Sequence, residues 1–291
     1  MTMNLADELI AFSIDQNYGQ YSCKDFDVWQ KFIIQQHHLM KAYSDYIHPG
    51  YFSGFEQLPF DANVIPSLTE INQALKAVNW SAVCVDGYIP AAVYFHFIAN
   101  RIFPISRHIR RLEHIEHSPT PDFIHDLIGH LPFLFIEELQ HLLLKIAGLN
   151  SRSQGNELDM LLFEANLELS SLKESTVSSE KEIQDQQQRV EQIQSSLKHN
   201  PSKLTQLNRM FLWVIEFGLL GTIDDHLCFG AGILSSQTEL RTVGEKRKII
   251  LPYSLGIFNY DIDFINNQNQ FFVAESFKQI NDALEVFEGA R

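Results

Sequence analysis

Apolar residues along this chain recur mostly at three- and four-residue intervals, the spacing of one face of an α-helix. Near the start, "FDVWQKFIIQQHHLMKAYSDY" carries the strongest such rhythm. In "IPSLTEINQALKAV" the rhythm resumes after Pro66, with Ser67 placed to cap a helix and Glu70 three residues on to complete a capping box. "WSAVCVDGYIP" breaks the pattern: its β-branched residues predict a short strand, and Gly87 and Pro90 predict the turn that ends it. Residues 156–199 contain neither proline nor glycine. Within them Leu158, Leu162, Ala165, Leu169 and Leu172 alternate steps of four and three. Ile183, Val190, Ile193 and Leu197 keep that step on the far side of "STVSS", with Gln186 or Gln187 filling one gap. Such a narrow seam on both sides of a turn predicts an antiparallel helical hairpin of two arms, each about 18–20 residues long. Further on, "LNRMFLWVIEFGLL" predicts an apolar helix with one carboxylate, Glu216, and "GAGILSSQTEL" a glycine turn leading to a polar cap. The expected fold is mainly α with small β-segments.

Composition narrows the functions. With 22 basic against 36 acidic residues the net charge is −14, which excludes a phosphate-tracking role on nucleic acid or an anionic membrane. Cys23, Cys84 and Cys228 are odd in number, widely spaced and in no CxxC, so neither a disulfide framework nor a cysteine zinc site is expected. The first residues lack the basic start and apolar run of a signal peptide. The most apolar stretch, "IPAAVYFHFIANRIFPI", is interrupted by His96, Asn100, Arg101 and two prolines. A cytoplasmic protein is the expectation.

The candidate chemistry lies in "TPDFIHDLIGHLPF", residues 120–133. Its two histidines, His125 and His130, would point about 140° apart on a regular α-helix. The punctuation offers a way out: Thr120 as cap, Pro121 as first helical residue, then an exit through a left-handed Gly129, with Pro132 forbidding resumption. Both imidazoles could then face one point. A carboxylate inside an apolar run is costly unless paired or metal-bound, so Glu216 is the natural third ligand. Two histidines and a carboxylate suit non-haem Fe(II), although zinc uses the same ligand types. The plainer alternatives are a chance pair among twelve histidines and an ion pair of Glu216 with Arg101 or Arg110.

"PDFIHDLIGH", "WVIEFGL", "GAGILSS" and "FFVAESF", in that order, resemble the pterin-dependent aromatic amino acid hydroxylases. "VWQKFIIQQ", "IPSLTEIN" and "IPAAVYFHFIANRIFPISRHIR" most resemble the single-domain bacterial phenylalanine hydroxylases. The resemblance implies a single catalytic domain over residues 1–291, with 156–199 as an inserted hairpin. It implies Fe(II) on His125, His130 and Glu216, a tetrahydropterin, O2 as co-substrate and an aromatic amino acid as substrate. Arg110 would grip the substrate carboxylate in a two-pronged contact, steadied by Asp122. Pro121 would line the ring pocket, and Gly232 and Ser235 would form the floor near the substrate amino end. Gly87, Tyr88 and Ile89 would form the pterin loop, Tyr94 would stack on the pterin, and Asp126 would meet it.

Departures from the family pattern accompany this. Leu212 stands where the family usually has Trp and Phe211 where it has Tyr. Asp126 replaces a Glu, and Thr120 breaks the common "EPD". Phenylalanine to tyrosine is the leading reaction; tryptophan, or the meta position of a ring, is the alternative that Leu212 motivates. A binding protein working through the hairpin, which would dimerise or dock a partner, is the rival from another class. A zinc hydrolase is the weakest, since no general base stands beside the ligands as in H-E-x-x-H.

Overall fold

The computed structural model describes residues 11–87, 89–118, 120–153, 155–174, 177–199, 201–262 and 268–289. In chain order the α-helices are α1 (Cys23–Ala42), α2 (Pro49–Glu56), α3 (Leu68–Leu75), α4 (Ala91–Ala99), α5 (Glu137–Asn150), α6 (Glu157–Glu174), α7 (Glu180–His199), α8 (Lys203–Phe211), α9 (Ala231–Leu234), α10 (Gln237–Gly244) and α11 (Phe277–Gly289). The strands are β1 (Ser81–Val85), β2 (Ile102–Ser106), β3 (Gly218–Gly221), β4 (His226–Cys228), β5 (Ile249–Pro252) and β6 (Gln270–Ala274).

Local sequence accounts for much of this. α1 opens on a capping box between Ser22 and Asp25 and buries Val28, Trp29, Phe32, Ile33, Gln36 and Met40, one helical face. The box expected at Ser67 and Glu70 opens α3. β1 and β2 pair in parallel, from Ser81 beside Ile102 to Val85 beside Ser106. The other sheet has the order β4-β3-β6-β5, antiparallel only between β3 and β4. Around these small sheets the helices close one main core, with Trp29, Phe32, Tyr51, Phe123, Trp213 and Phe271 at its centre.

α6 and α7 form the hairpin, held by a separate cluster of Ala165, Leu169 and Val190 with Leu162, Ile183 and Ile193 beside it. Gln186 fills the gap in the seam, its Nε2 donating to the Ala165 carbonyl at 2.9 Å. Arg189 and Glu168 pair across the outside at 3.1 Å.

The apolar run from Leu207 to Leu220 is not one helix. α8 ends at Phe211, a π-helical turn covers Leu212–Glu216, and β3 begins at Gly218. A Cβ on Gly218 would lie 2.2 Å from the Val214 carbonyl oxygen and 2.4 Å from the Phe229 ring, so only glycine lets the chain turn from helix into strand here.

Candidate active site

His125 and His130 occupy one π-helical turn, His125–His130, which runs on into a 3-10 turn over Leu131–Phe135. The break expected at Gly129 is absent: among the described residues the glycines with positive φ are Gly87 and Gly221. The helix widens instead. In π geometry each bond spans five residues, so positions i and i+5 come close to one face. Gly129 serves another purpose, since a Cβ there would meet the Ala231 carbonyl oxygen at 2.7 Å, where α9 crosses. The cap expected at Thr120 is supplied by Asp122, whose Oδ1 accepts the His125 N–H at 2.8 Å. Pro121 therefore precedes the helix and is exposed. Tyr51, fully buried, anchors the turn by donating to the Ile128 carbonyl at 2.7 Å.

Glu216 ends the second π-helical turn and meets both imidazoles. Its Oε1 lies 3.0 Å from His130 Nε2 and its Oε2 3.5 Å from His125 Nε2, while the two Nε2 atoms are 3.2 Å apart. Arg101 and Arg110 are engaged elsewhere. Arg101 Nη1 donates to Gln140 Oε1 at 3.0 Å, and Arg110 is paired with Asp122. Ser235 settles the tautomer of His125. Its hydroxyl donates to the Ala231 carbonyl at 2.8 Å, so its Oγ must accept from His125 Nδ1–H, also at 2.8 Å. The Nε2 lone pair of His125 is thereby turned toward His130 and Glu216. Glu216 Oε2 is enclosed without a hydrogen-bond partner. Two nitrogens and a carboxylate within 4.8 Å of one another, one tautomer already fixed and one buried oxygen unpartnered, fit a divalent cation. The donor set, on one side and leaving other positions open, is that of non-haem Fe(II).

Burial drives His125 down to about 4, with His130 and Arg110 adding and Glu216 opposing, so its imidazole is neutral. Burial also works against the charge on His130, but Glu216 and Asp126 outweigh it and hold this imidazole above its ordinary value. For Glu216 burial is in turn outweighed by both histidines, which with the Gly232 N–H keep the carboxyl below its usual range.

Behind this centre Arg110 and Asp122 form a buried two-pronged pair, Nε to Oδ2 at 2.7 Å and Nη2 to Oδ1 at 3.2 Å. Nη1 donates to the carbonyls of Ile115 and Ser235 at 3.3 and 3.2 Å, and the guanidinium lies 5.1 Å over the Phe32 ring. One Nη2 proton is left over from these contacts. The planar fork thus faces Asp122. Gly232 lies against the Glu216 backbone: a Cβ would come within 3.0 Å of the Glu216 carbonyl oxygen and of the Phe217 ring.

On the other side Asp126 Oδ2 accepts the Ser106 N–H at 2.7 Å. Burial pushes its carboxyl up to about 7, against the opposing pull of His130 and that hydrogen bond. Gly87 turns the chain with φ 68°, and Ile89 packs on Val85, Val93 and Phe97; Tyr88 lies outside the described residues. The Tyr94 ring packs edge-on against Phe95, Phe103 and Phe211 at 5.4, 6.2 and 5.6 Å, with its hydroxyl enclosed. Ser106, Phe32 and Tyr51 escaped the sequence reading. Ser106 acts through a backbone N–H, which no side-chain pattern reveals, and the other two look like ordinary core aromatics.

The sequence model of the biopterin-dependent aromatic amino acid hydroxylases matches residues 8–159 and 173–290, passing over 160–172 in the first arm of the hairpin. The phenylalanine-4-hydroxylase of Chromobacterium violaceum is 27% identical over 281 residues, 94% of this chain and 76% of its own length. That of Ralstonia nicotianae is 25% identical over 283 residues, 94% of this chain and 72% of its own. The solved structure of the Chromobacterium enzyme with iron (III) and 7,8-dihydrobiopterin matches this fold with a TM-score of 0.71 at 22% identity, covering 100% of this chain and 94% of that one. This chain belongs to the biopterin-dependent aromatic amino acid hydroxylase family.

Proposed function

We propose that this protein is an iron- and tetrahydropterin-dependent monooxygenase that hydroxylates phenylalanine to tyrosine with O2. The observation that carries this is the convergence of His125, His130 and Glu216, with His125 held in its coordinating tautomer by Ser235. Bound Fe(II) and a reduced tetrahydropterin together supply the activation of O2. The protein's own share is binding, orientation and exclusion of water. Arg110 provides a fixed positive charge and its remaining Nη2 proton for the substrate carboxylate, with Asp122 holding it. Pro121 and Gly232 border the ring. Gly87, Tyr88, Ile89, Tyr94 and Asp126 take the pterin.

A second reading, another aromatic ring or ring position, rests on Leu212, half-buried where an indole would fill more space. The deciding experiment is oxygen uptake by the Fe(II)-loaded protein with a tetrahydropterin and phenylalanine, tyrosine or tryptophan, with products identified by mass and chromatography. Tyrosine from phenylalanine is expected. A Leu212→Trp variant with unchanged substrate preference would remove the second reading, and uptake without hydroxylated product would remove the first. Among the described residues no single helix is long and apolar enough to cross a membrane, and we place the protein in the cytoplasm. The hairpin is assigned to self-association or a protein partner.

A further inference from the structure

The 86–90 loop leaves β1 at Val85, turns at Gly87 and is tied down at its far end by the apolar packing of Ile89. At its near end stands Asp86. Its Oδ1 accepts from His108 Nε2 at 2.7 Å and is ion-paired with Arg107 Nη2 at 3.2 Å. Both partners belong to the strip that continues β2, and the Arg107 N–H also bonds the Val85 carbonyl at 3.2 Å. The same strip sends the Ser106 N–H to Asp126 and the Arg110 guanidinium to Asp122. Five consecutive residues, 106–110, therefore hold the loop, the Asp126 carboxylate and the buried ion pair in one frame. The Asp86 side chain is 59% exposed and belongs to no apolar cluster. Its two partners on that strip act on the position of the loop rather than on the core.

We propose that Asp86 is a positioning residue that holds the 86–90 loop in place for the pterin through Arg107 and His108. This rests on the reading of that loop, with Tyr94 and Asp126, as the pterin site. The side chains of Arg107 and His108 are 27% and 49% exposed, so the effect is a modest one on cofactor affinity and not on folding.

The test uses the iron-loaded full chain and two readouts: fluorescence titration with 7,8-dihydrobiopterin, which needs no turnover, and steady-state kinetics. Asp86→Lys should weaken dihydropterin binding by about tenfold and raise the tetrahydropterin KM to match, since it removes one attraction and adds a repulsion. Its kcat and amino acid KM should stay within about twofold of wild type. The swapped pair Asp86→Lys with Arg107→Glu should recover most of the affinity, because the two sites are directly coupled. Wild-type affinity in Asp86→Lys, or a swapped pair no better than the single variant, overturns the proposal. So does an equal weakening of both substrates. Wild-type protein that binds no dihydropterin would overturn the pterin reading itself, a failure recognisable because it precedes any substitution.

Discussion

His125 owes its coordinating form to a serine 110 residues away in the chain. Replacing Ser235 by alanine leaves its backbone carbonyl, and so the Arg110 contact, in place but frees the imidazole to rotate or change tautomer. The expected result is a loss of about 10- to 100-fold in affinity for Fe(II) or Co(II) with the fold intact, measured by metal titration alongside circular dichroism. Metal affinity equal to wild type would show that the serine does not orient the ligand. Asp126 gives a second test at this scale. Its ordinary value is 3.8 and burial pushes it up to about 7, so between those values the folded protein keeps a proton that the unfolded chain has released. The folded state therefore binds more protons in that window, and the stability of the metal-free protein falls through it as pH rises, by at most about 4 kcal/mol. Asp126→Asn removes this penalty. Urea unfolding of the metal-free proteins at pH 4, 5.5 and 7 should show the variant gaining on wild type as pH rises. His125, lowered to about 4, contributes in the opposite sense, which is why the difference between the two proteins is the informative quantity. A difference independent of pH would mean that the Asp126 carboxyl titrates normally in the fold.

Both elements that carry the convergent side chains are π-helical, and a glycine within the first and another just after the second permit a close approach. The first turn bears directly on α9: the 2.7 Å between a hypothetical Gly129 Cβ and the Ala231 carbonyl oxygen leaves no room for a methyl group. Gly129→Ala should push α9 away and with it Ser235, the residue that caps the C-terminus of α9. Overpacking of this kind typically costs about 1–3 kcal/mol. Here it should also weaken metal binding more than a substitution of equal cost elsewhere. Thermal unfolding and metal titration together would check this, and a destabilised variant with wild-type metal affinity would uncouple α9 from the ligands. The elements themselves were legible to differing degrees. α1 and α3 follow from apolar spacing and capping boxes, which are short-range. The continuous helix expected from Leu207 to Leu220 was misread, because hydropathy cannot report the collision with Val214 and Phe229 that only glycine at 218 avoids.

At the scale of the molecule, the hairpin is energetically apart. Its cluster of Ala165, Leu169 and Val190 shares no residue with the main core, and its base is tied to α8 through Thr205 and Asp159. Joining Asn150 to Asn200 through a short linker should leave a folded, iron-binding body, with Tm lowered by a few degrees for the lost base contacts, on the order of 1 kcal/mol. Light scattering on the full-length and shortened chains would decide what the hairpin does. A change of oligomeric state or of activity supports its assignment to association or partner binding; unchanged mass and activity would leave it a self-packed insertion.

The sequence by itself determined the helical rhythm, the hairpin seam with a glutamine in its gap, and which three side chains converge, because each depends on residues close together or on a carboxylate in an apolar run. The roles proposed for Arg110, Asp122 and the 87–89 loop rest on resemblance and not on any local pattern. Tertiary structure alone decided how a five-residue interval becomes one face, that Gly129 makes room rather than turns left, and that Ser235 serves a histidine. It also decided that Asp126 hangs from Ser106. The first is a local widening of the helix and the others are contacts between segments distant in the chain, all set by packing tolerances of a few tenths of an ångström that no local pattern of residues encodes.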